Sequence, residues 1–298
     1  MCGIVGILGK EPVADNIVEA LRRLEYRGYD SAGVATLTPH GIERRRAVGK
    51  LKNLANLLAR EPLEGTSGIG HTRWATHGGV TETNAHPHVV DDVVVVHNGI
   101  IENFRPLKDE LVAEGAVFTT QTDTEVVAQL LARELKRGKP PREAVRNVLG
   151  RLHGAFALAI LFKGENDLMI AARNGPPLAV GHGEGEMFIG SDAIALSPFT
   201  NRITYLEDGD WAVLTHNSLE IYDAKGKRVD RPMSFSQAST MLVDKGNHRH
   251  FMAKEIEEQP EVIGHTLAEY VDFAERTVRV PRELTFDFAK LDRLTITA

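Results

Sequence analysis

The chain has 298 residues, 42% of them hydrophobic, and a formal net charge of −6. That length buries a real core in more than one minimal domain and fewer than three, and the mild, interspersed charge leaves no electrostatic footprint for nucleic acid. A single cysteine excludes an intrachain disulfide or a cysteine-rich zinc cluster, and the short apolar start, with no basic stretch before it, suits neither a signal peptide nor a membrane anchor, so a soluble cytoplasmic protein is expected.

Met1 precedes Cys2 and Gly3, and removal of an initiator Met before so small a residue leaves a cysteine with a free α-amine. Such an amine, with a pKa of about 7.7–8.0, can take the proton of a thiol near 8.5, directly or through one water. The cysteine then carries its own general base, as N-terminal Thr nucleophiles do. The plainer alternative is an inert cysteine buried at the start of a strand over residues 3–8.

Val13, Ile17, Leu21 and Leu24 recur at helical spacing on a segment closing in Arg22 and Arg23. Residues 25–33 read as a glycine-punctuated loop, 34–37 as a second strand, and Arg44, Arg45 and Arg46 as a solvated strand end. Residues 69–74 and 93–98 are further strands, the latter apolar enough to be buried on both faces. Pro106 and Gly115 bracket a helix; Thr122 and Glu125 form a capping box for another that runs to Gly138; Pro140 and Pro141 open a third, with Ala144, Val145, Val148 and Leu149 inward. Short strands follow at 156–162, 168–173, 178–180, 187–189, 203–206 and 211–214.

Strands at both ends with helices between argue for an α+β fold, two antiparallel sheets face to face with helices outside. The polar stretch 234–240 places a domain boundary near 240. Beyond it, 251–259, closed by Pro260, and 261–273 read as amphipathic helices, and 294–298 as a strand.

Polar residues gather in the loops. Arg73 ends a strand beside Trp74, Thr76 and His77, and its guanidinium suits bidentate capture of a carboxylate, though taken alone an arginine here reads first as a surface salt-bridge partner. Asp123 suits a helix N-terminus, where capping is its first explanation; Arg73 and Asp123 together would define an α-amino-acid pocket. Asn98 and Gly99 signal a tight hairpin turn, but their amide groups could also converge on an oxyanion. His86 and His88, with His71, His77 and His97, invite a metal reading that lacks an acidic or thiolate ligand at a recognised spacing.

Residues 1–6, 24–33, 71–78, 84–88, 95–101 and 122–125, in that order, resemble the successive motifs of the class II glutamine amidotransferases. The Tyr26-Arg27-Gly28-Tyr29-Asp30-Ser31-Ala32-Gly33 form is similar to the branch that delivers ammonia to fructose 6-phosphate. The resemblance implies an N-terminal-nucleophile hydrolase fold, a four-layer α-β-β-α sandwich over residues 1–240. Residues 241–298 then form a linker and the opening helices of an incomplete sugar-isomerase domain.

It further implies L-glutamine as substrate and Cys2 as nucleophile. Asn98 and Gly99 hold the oxyanion, Arg73 with Thr76 and His77 the α-carboxylate, and Asp123 the α-ammonium. Trp74 acts as a gate, and His86 and Arg27 as supports. No metal or organic cofactor is required, and neither nucleic acid nor a membrane is a partner. Fructose 6-phosphate would be met only through the missing isomerase domain, so the chain is expected to release ammonia without aminating a sugar. The apolar tail faces are expected to be partly unpacked or to pair with a neighbouring chain, which allows a homodimer. Two rivals remain: another N-terminal-cysteine amidase, without the paired Arg73 and Asp123 anchors, and a non-catalytic amino-acid-binding module in which Cys2 is inert.

Overall fold

The computed structural model describes residues 2–236, 248, 250–272, 275–278, 290–293 and 295. The chain divides into two compact units, Met1–Val243 and Asp244–Ala298.

The first unit opens with β1 (Gly3–Leu8), α1 (Ala14–Arg22), β2 (Ser31–Thr38), β3 (Gly41–Val48), α2 (Leu51–Arg60), β4 (Ser67–Arg73), β5 (His88–Val90) and β6 (Val93–Ile101). Three helices follow, α3 (Phe104–Ala113), α4 (Thr124–Lys136) and α5 (Pro141–Leu149). It continues with β7 (Gly154–Phe162), β8 (Met169–Asn174), β9 (Ala179–His182), β10 (Met187–Gly190) and α6 (Ala193–Leu196). Five short strands close it: β11 (Arg202–Tyr205), β12 (Trp211–Leu214), β13 (Leu219–Tyr222), β14 (Arg228–Val229) and β15 (Met233–Phe235).

Two antiparallel sheets result, one of eight strands in the order β15-β11-β9-β10-β1-β4-β2-β3 and one of seven in the order β14-β13-β12-β8-β7-β6-β5. Period-2 alternation decides what each face buries. In β6, Val94 and Val96 meet Ile4, Leu8 and Ile69 of the other sheet, while Val93 and Val95 pack outward with Val126, Val127 and Leu130 of α4. In β1, Val5 and Ile7 pack outward with Ile17 and Leu21 of α1. The layers therefore run helix, sheet, sheet, helix, as the α+β expectation holds. Gly6 faces the inter-sheet core, where a Cβ would lie 2.7 Å from the sulfur of Met169.

Several local expectations change. β2 begins at Ser31, inside the expected loop, because Ser31, Ala32 and Gly33 pair with Val48, Ala47 and Arg46 on one side and Arg73, Thr72 and His71 on the other. Arg44, Arg45 and Arg46 are no strand end but the middle of β3. Arg44 donates to the Pro87 carbonyl at 3.3 Å, Arg46 to the Thr83 carbonyl at 2.9 Å, and Arg45, on the opposite face, to the Glu61 carbonyl at 3.2 Å. The capping box is absent. The Glu125 carboxylate accepts the N–H groups of Thr119 and Thr120 at 2.8 and 2.7 Å, and Thr122 Oγ1 pairs with His88 Nε2 at 3.1 Å.

In the second unit one helix, α7 (Phe251–Tyr270), runs through Pro260 where two were expected. Proline removes one N–H from the ladder, a cost of about 3 kcal/mol in a helix interior, but α7 is exposed at Ile256 and water can take the carbonyl left over there. A two-stranded ribbon, β16 (Val271–Asp272) and β17 (Thr277–Val278), follows. The strand expected over 294–298 lies outside the described residues, apart from residue 295.

Candidate active site

Cys2 immediately precedes β1, and the pairing of Gly3 with Thr72 sets it beside the end of β4. Its sulfur accepts the Trp74 N–H at 3.1 Å and the thiol lies 3.6 Å from the Trp74 carbonyl. Burial pushes the thiol pKa up; the Trp74 N–H and the Arg73 guanidinium pull it back, and Asp30 pushes it further up.

The loop that follows β4 is held from the Tyr26–Gly33 motif. The Asp30 carboxylate accepts the Ala75 N–H at 2.6 Å and the Asp30 N–H donates to the Arg73 carbonyl at 2.7 Å. Gly28, at φ +76°, lies under the Trp74 indole, where a Cβ would come within 2.5 Å of the ring. Trp74 itself stays 54% exposed. Arg27 reaches Asp192 at 2.9 Å and Tyr26 at 3.2 Å, and Tyr29 accepts the Leu51 N–H at 2.7 Å at the start of α2.

Arg73 is buried, and its terminal nitrogens donate to the carbonyls of His77, Gly78 and Gly79 at 2.5, 3.3 and 3.2 Å. In this conformation it organises the loop that carries Thr76 and His77. Asn84 and Gln121 hold the same loop from the other side, through the Gly79 carbonyl at 3.0 Å and the Gly79 N–H at 3.2 Å. Neither residue was expected at the site.

Asn98 and Gly99 do not form a turn. They lie inside β6, paired with Ala157 and Phe156 of β7. Gly99 has φ +117°, and a Cβ there would lie 2.0 Å from the Ala155 carbonyl oxygen, so glycine serves a strand distortion rather than a hairpin. The Asn98 amide nitrogen donates to the Cys2 carbonyl at 3.2 Å and to Ser191 Oγ at 3.0 Å. The Asp123 carboxylate does not cap α4 but accepts the Ile101 N–H at 2.8 Å.

His86 is buried behind the site, its Nε2 2.9 Å from Thr124 Oγ1, and the same hydroxyl lies 2.9 Å from His97 Nδ1. One hydroxyl between two ring nitrogens donates to one and accepts from the other. Burial, the dominant cause, lowers the pKa of His71, His86, His88 and His97, so this cluster is neutral near pH 7. Among the described residues no group of three or more His, Cys, Asp or Glu is arranged to hold a metal ion.

The ten residues expected at the site line two adjoining hollows. Arg73, His77, His86 and Asp123 line a polar cleft, Arg27 and Asn98 a more apolar pocket with Ile100, Pro176 and Pro177, and Cys2, Trp74, Thr76 and Gly99 form the wall common to both. Cys2 therefore stands at the junction. His71 was weighed only as a metal ligand, and Asp30, Thr124 and Ser191 were given no role. Asp30, His71 and Thr124 lie within the motifs above, whereas nothing near Ser191 in sequence signals its place.

Residues 71–198 match the glutamine amidotransferase domain family. The whole chain aligns at 64% identity with glutamine–fructose-6-phosphate aminotransferase (isomerizing) of Bradyrhizobium diazoefficiens and at 65% with that of Mesorhizobium japonicum, in each case over 49% of the relative. The chain thus spans about half the length of the relatives it matches. Among solved structures, the B. subtilis glutamine phosphoribosylpyrophosphate amidotransferase superposes with a TM-score of 0.65 at 25% identity, over 74% of this chain and 49% of that one. A glutamine aminotransferase class-II domain protein from Silicibacter pomeroyi, at 17% identity and a TM-score of 0.53, covers 74% of this chain and 99% of its own, and shows the fold alone. Among the described residues no helix is long and apolar enough to cross a membrane. With a two-sheet sandwich and a cysteine at the junction of two hollows, the chain is similar along its whole length, at above 60% identity, to about half of the glutamine–fructose-6-phosphate aminotransferases (isomerizing), and its residues 71–198 match the glutamine amidotransferase domain family.

Proposed function

We propose that the chain hydrolyses L-glutamine to L-glutamate and ammonia with Cys2 as nucleophile. One observation carries this reading: the Cys2 sulfur lies where the cleft of Arg73 and Asp123 meets Asn98 and Gly99. Removal of Met1 frees the α-amine of Cys2 to act as base. Arg73, with Thr76 and His77, takes the substrate α-carboxylate, and Asp123 takes the α-ammonium.

The thiolate attacks the side-chain amide carbon and a C–S bond forms. Asn98 and Gly99 stabilise the oxyanion, and collapse expels ammonia as the amide nitrogen takes the proton held on the α-amine. Water then cleaves the γ-glutamyl thioester, releasing glutamate and restoring the thiol. Trp74 gates the passage between the two hollows, while Arg27 and His86 keep the surrounding loops in order. The scheme requires no cofactor.

The names of the relatives support a further reading, in which the ammonia aminates fructose 6-phosphate in an enzyme of their full length. On the same reading, residues 1–240 are the glutaminase domain and 241–298 lead into an isomerase domain, in a cytoplasmic protein able to form a homodimer. The test is glutamate release by protein whose intact mass is known, together with iodoacetamide labelling of Cys2. Activity should require loss of Met1, and glutamine should slow the labelling. Full activity in protein that retains Met1, or labelling indifferent to glutamine, would overturn the reading.

A further inference from the structure

We infer that His71 is a positioning residue whose ring locks the Asn98 amide in the one orientation that turns its NH2 group toward Cys2. The inference rests on Asn98 as the oxyanion donor proposed above.

Three polar neighbours surround that amide. The Cys2 carbonyl, 3.2 Å away, can only accept, so the atom facing it is Nδ2. The second Nδ2 hydrogen goes to Ser191 Oγ at 3.0 Å, an oxygen that also takes the Ile4 N–H at 2.8 Å. Oδ1 is left facing His71 Nε2 at 2.9 Å, so Nε2 must carry the hydrogen. Burial pushes the His71 pKa down to about 3, and a neutral ring has one proton to place.

Turning the amide by half a rotation would set Oδ1 against the Cys2 carbonyl and NH2 against the Nε2–H. Acceptor would then face acceptor at Cys2, and at His71 donor would face donor unless the ring proton moved to Nδ1, a buried nitrogen with no hydrogen-bond partner, in a site where unsatisfied polar groups cost most. The ring is itself held. His71 lies in β4 between Ile4 of β1 and Gly33 of β2, and its ring packs on that of His86 with centroids 4.2 Å apart. His86 in turn is tied to Thr124, the first residue of α4.

His71 touches no substrate and acts only through Asn98. At rest both Nδ2 hydrogens are taken, by the Cys2 carbonyl and by Ser191 Oγ, so the one facing Cys2 turns from that carbonyl to the oxyanion as it forms; an asparagine free to flip would present a carbonyl oxygen there instead, and losing one oxyanion donor costs about 10²–10³ in kcat. A histidine that merely filled the space would be replaced by phenylalanine without that loss.

The test is steady-state glutaminase kinetics of the full chain carrying His71→Phe, His71→Gln, Asn98→Ala and the Phe/Ala pair, each checked for folding by circular dichroism. His71→Phe should lower kcat roughly tenfold to a hundredfold with KM within about threefold, since the lost interaction forms only in the transition state. His71→Gln, which keeps an N–H donor at similar reach, should recover most of the rate, and the pair should be no slower than Asn98→Ala alone. In the unsubstituted protein, long-range 1H–15N spectra of the imidazoles, assigned through contacts to Asn98, should show His71 protonated at Nε2, whether or not any variant folds. Wild-type kcat in His71→Phe beside a slow Asn98→Ala, additive losses in the pair, or an Nδ1–H ring would overturn the inference. An Asn98→Ala enzyme as fast as wild type would strike the oxyanion assignment itself, and this inference with it.

Discussion

The backbone N–H of Trp74 points at the sulfur of Cys2 across 3.1 Å, although 72 residues separate the two in sequence. The contact follows from the register of β1 on β4, which pairs Gly3 with Thr72. It places a backbone donor at the Cys2 sulfur, and so ties that residue to the loop that carries Thr76 and His77. Asp30 completes the link by holding the next N–H, that of Ala75.

Replacing Cys2 with alanine is expected to lower glutamate release by at least about a thousandfold, because the covalent step has no substitute. The residue is only half-buried and adds little to either core, so the thermal midpoint should stay within a few degrees of wild type. Activity assay and thermal unfolding on one preparation decide it; a folded, active Cys2→Ala protein would remove Cys2 from the mechanism.

Arg73→Lys keeps the charge and loses the planar fork. The expected result is a KM for glutamine raised roughly tenfold to a hundredfold, in line with the 1.5–3 kcal/mol typical of a hydrogen bond to a charged group. Asp123→Asn should weaken the same parameter while leaving an acceptor for the Ile101 N–H, so the fold should survive. Glutamine analogues lacking the α-carboxylate or the α-amine supply the control. If the unsubstituted enzyme turns them over as well as glutamine, the two anchors are misassigned.

Gly99→Ala is expected to destabilise the first unit by roughly 3–5 kcal/mol, combining a positive φ with a backbone clash that cannot relax cheaply. A Cβ at φ +117° would lie 2.0 Å from the Ala155 carbonyl oxygen, and relieving that contact means parting β6 from β7. Urea unfolding of wild type and variant measures it, and a midpoint unchanged at equal m-value would show that the strand tolerates the side chain.

Stability should fall steeply with acid below about pH 6.5. Burial lowers the pKa of His71, His86, His88 and His97 in the folded chain, to about 3 for His71, whereas the unfolded chain takes up protons near the ordinary value of about 6.5. The unfolded state thus binds more protons as the pH drops, and the stability present above about 6.5 is lost on the way toward the folded pKa values. Four such groups give a slope of up to about 5 kcal/mol per pH unit. Thermal midpoints between pH 5 and 8 test the sign, and a protein equally stable at both ends would mean that water reaches these rings.

The residues to which we assign chemistry, Cys2, Arg73, Asn98, Gly99 and Asp123, stood out in the sequence because they sit in short, ordered motifs, and the structure brings them to two adjoining hollows. The β1 strand, α5 and the two-faced burial of β6 were legible too, since each is written in the alternation or helical spacing of neighbouring residues. What local pattern could not supply was partner choice between distant segments. Asn98 and Gly99 carry a turn signature, yet they continue a strand because β7 offers Ala157 and Phe156 in register. Thr122 and Glu125 match a capping box, yet His88 and the N–H groups of Thr119 and Thr120 claim them first. The three arginines of β3 read as a solvated end until the loop at 83–87 and the end of α2 supply carbonyls for them. Ser191 and His71 are joined to the site through Asn98, which reaches both from the other sheet. Periodicity and capping depend on residues within about one helical turn, whereas register and hydrogen-bond competition are settled by whichever groups the closed sandwich brings within hydrogen-bonding distance, so only the tertiary structure decided them.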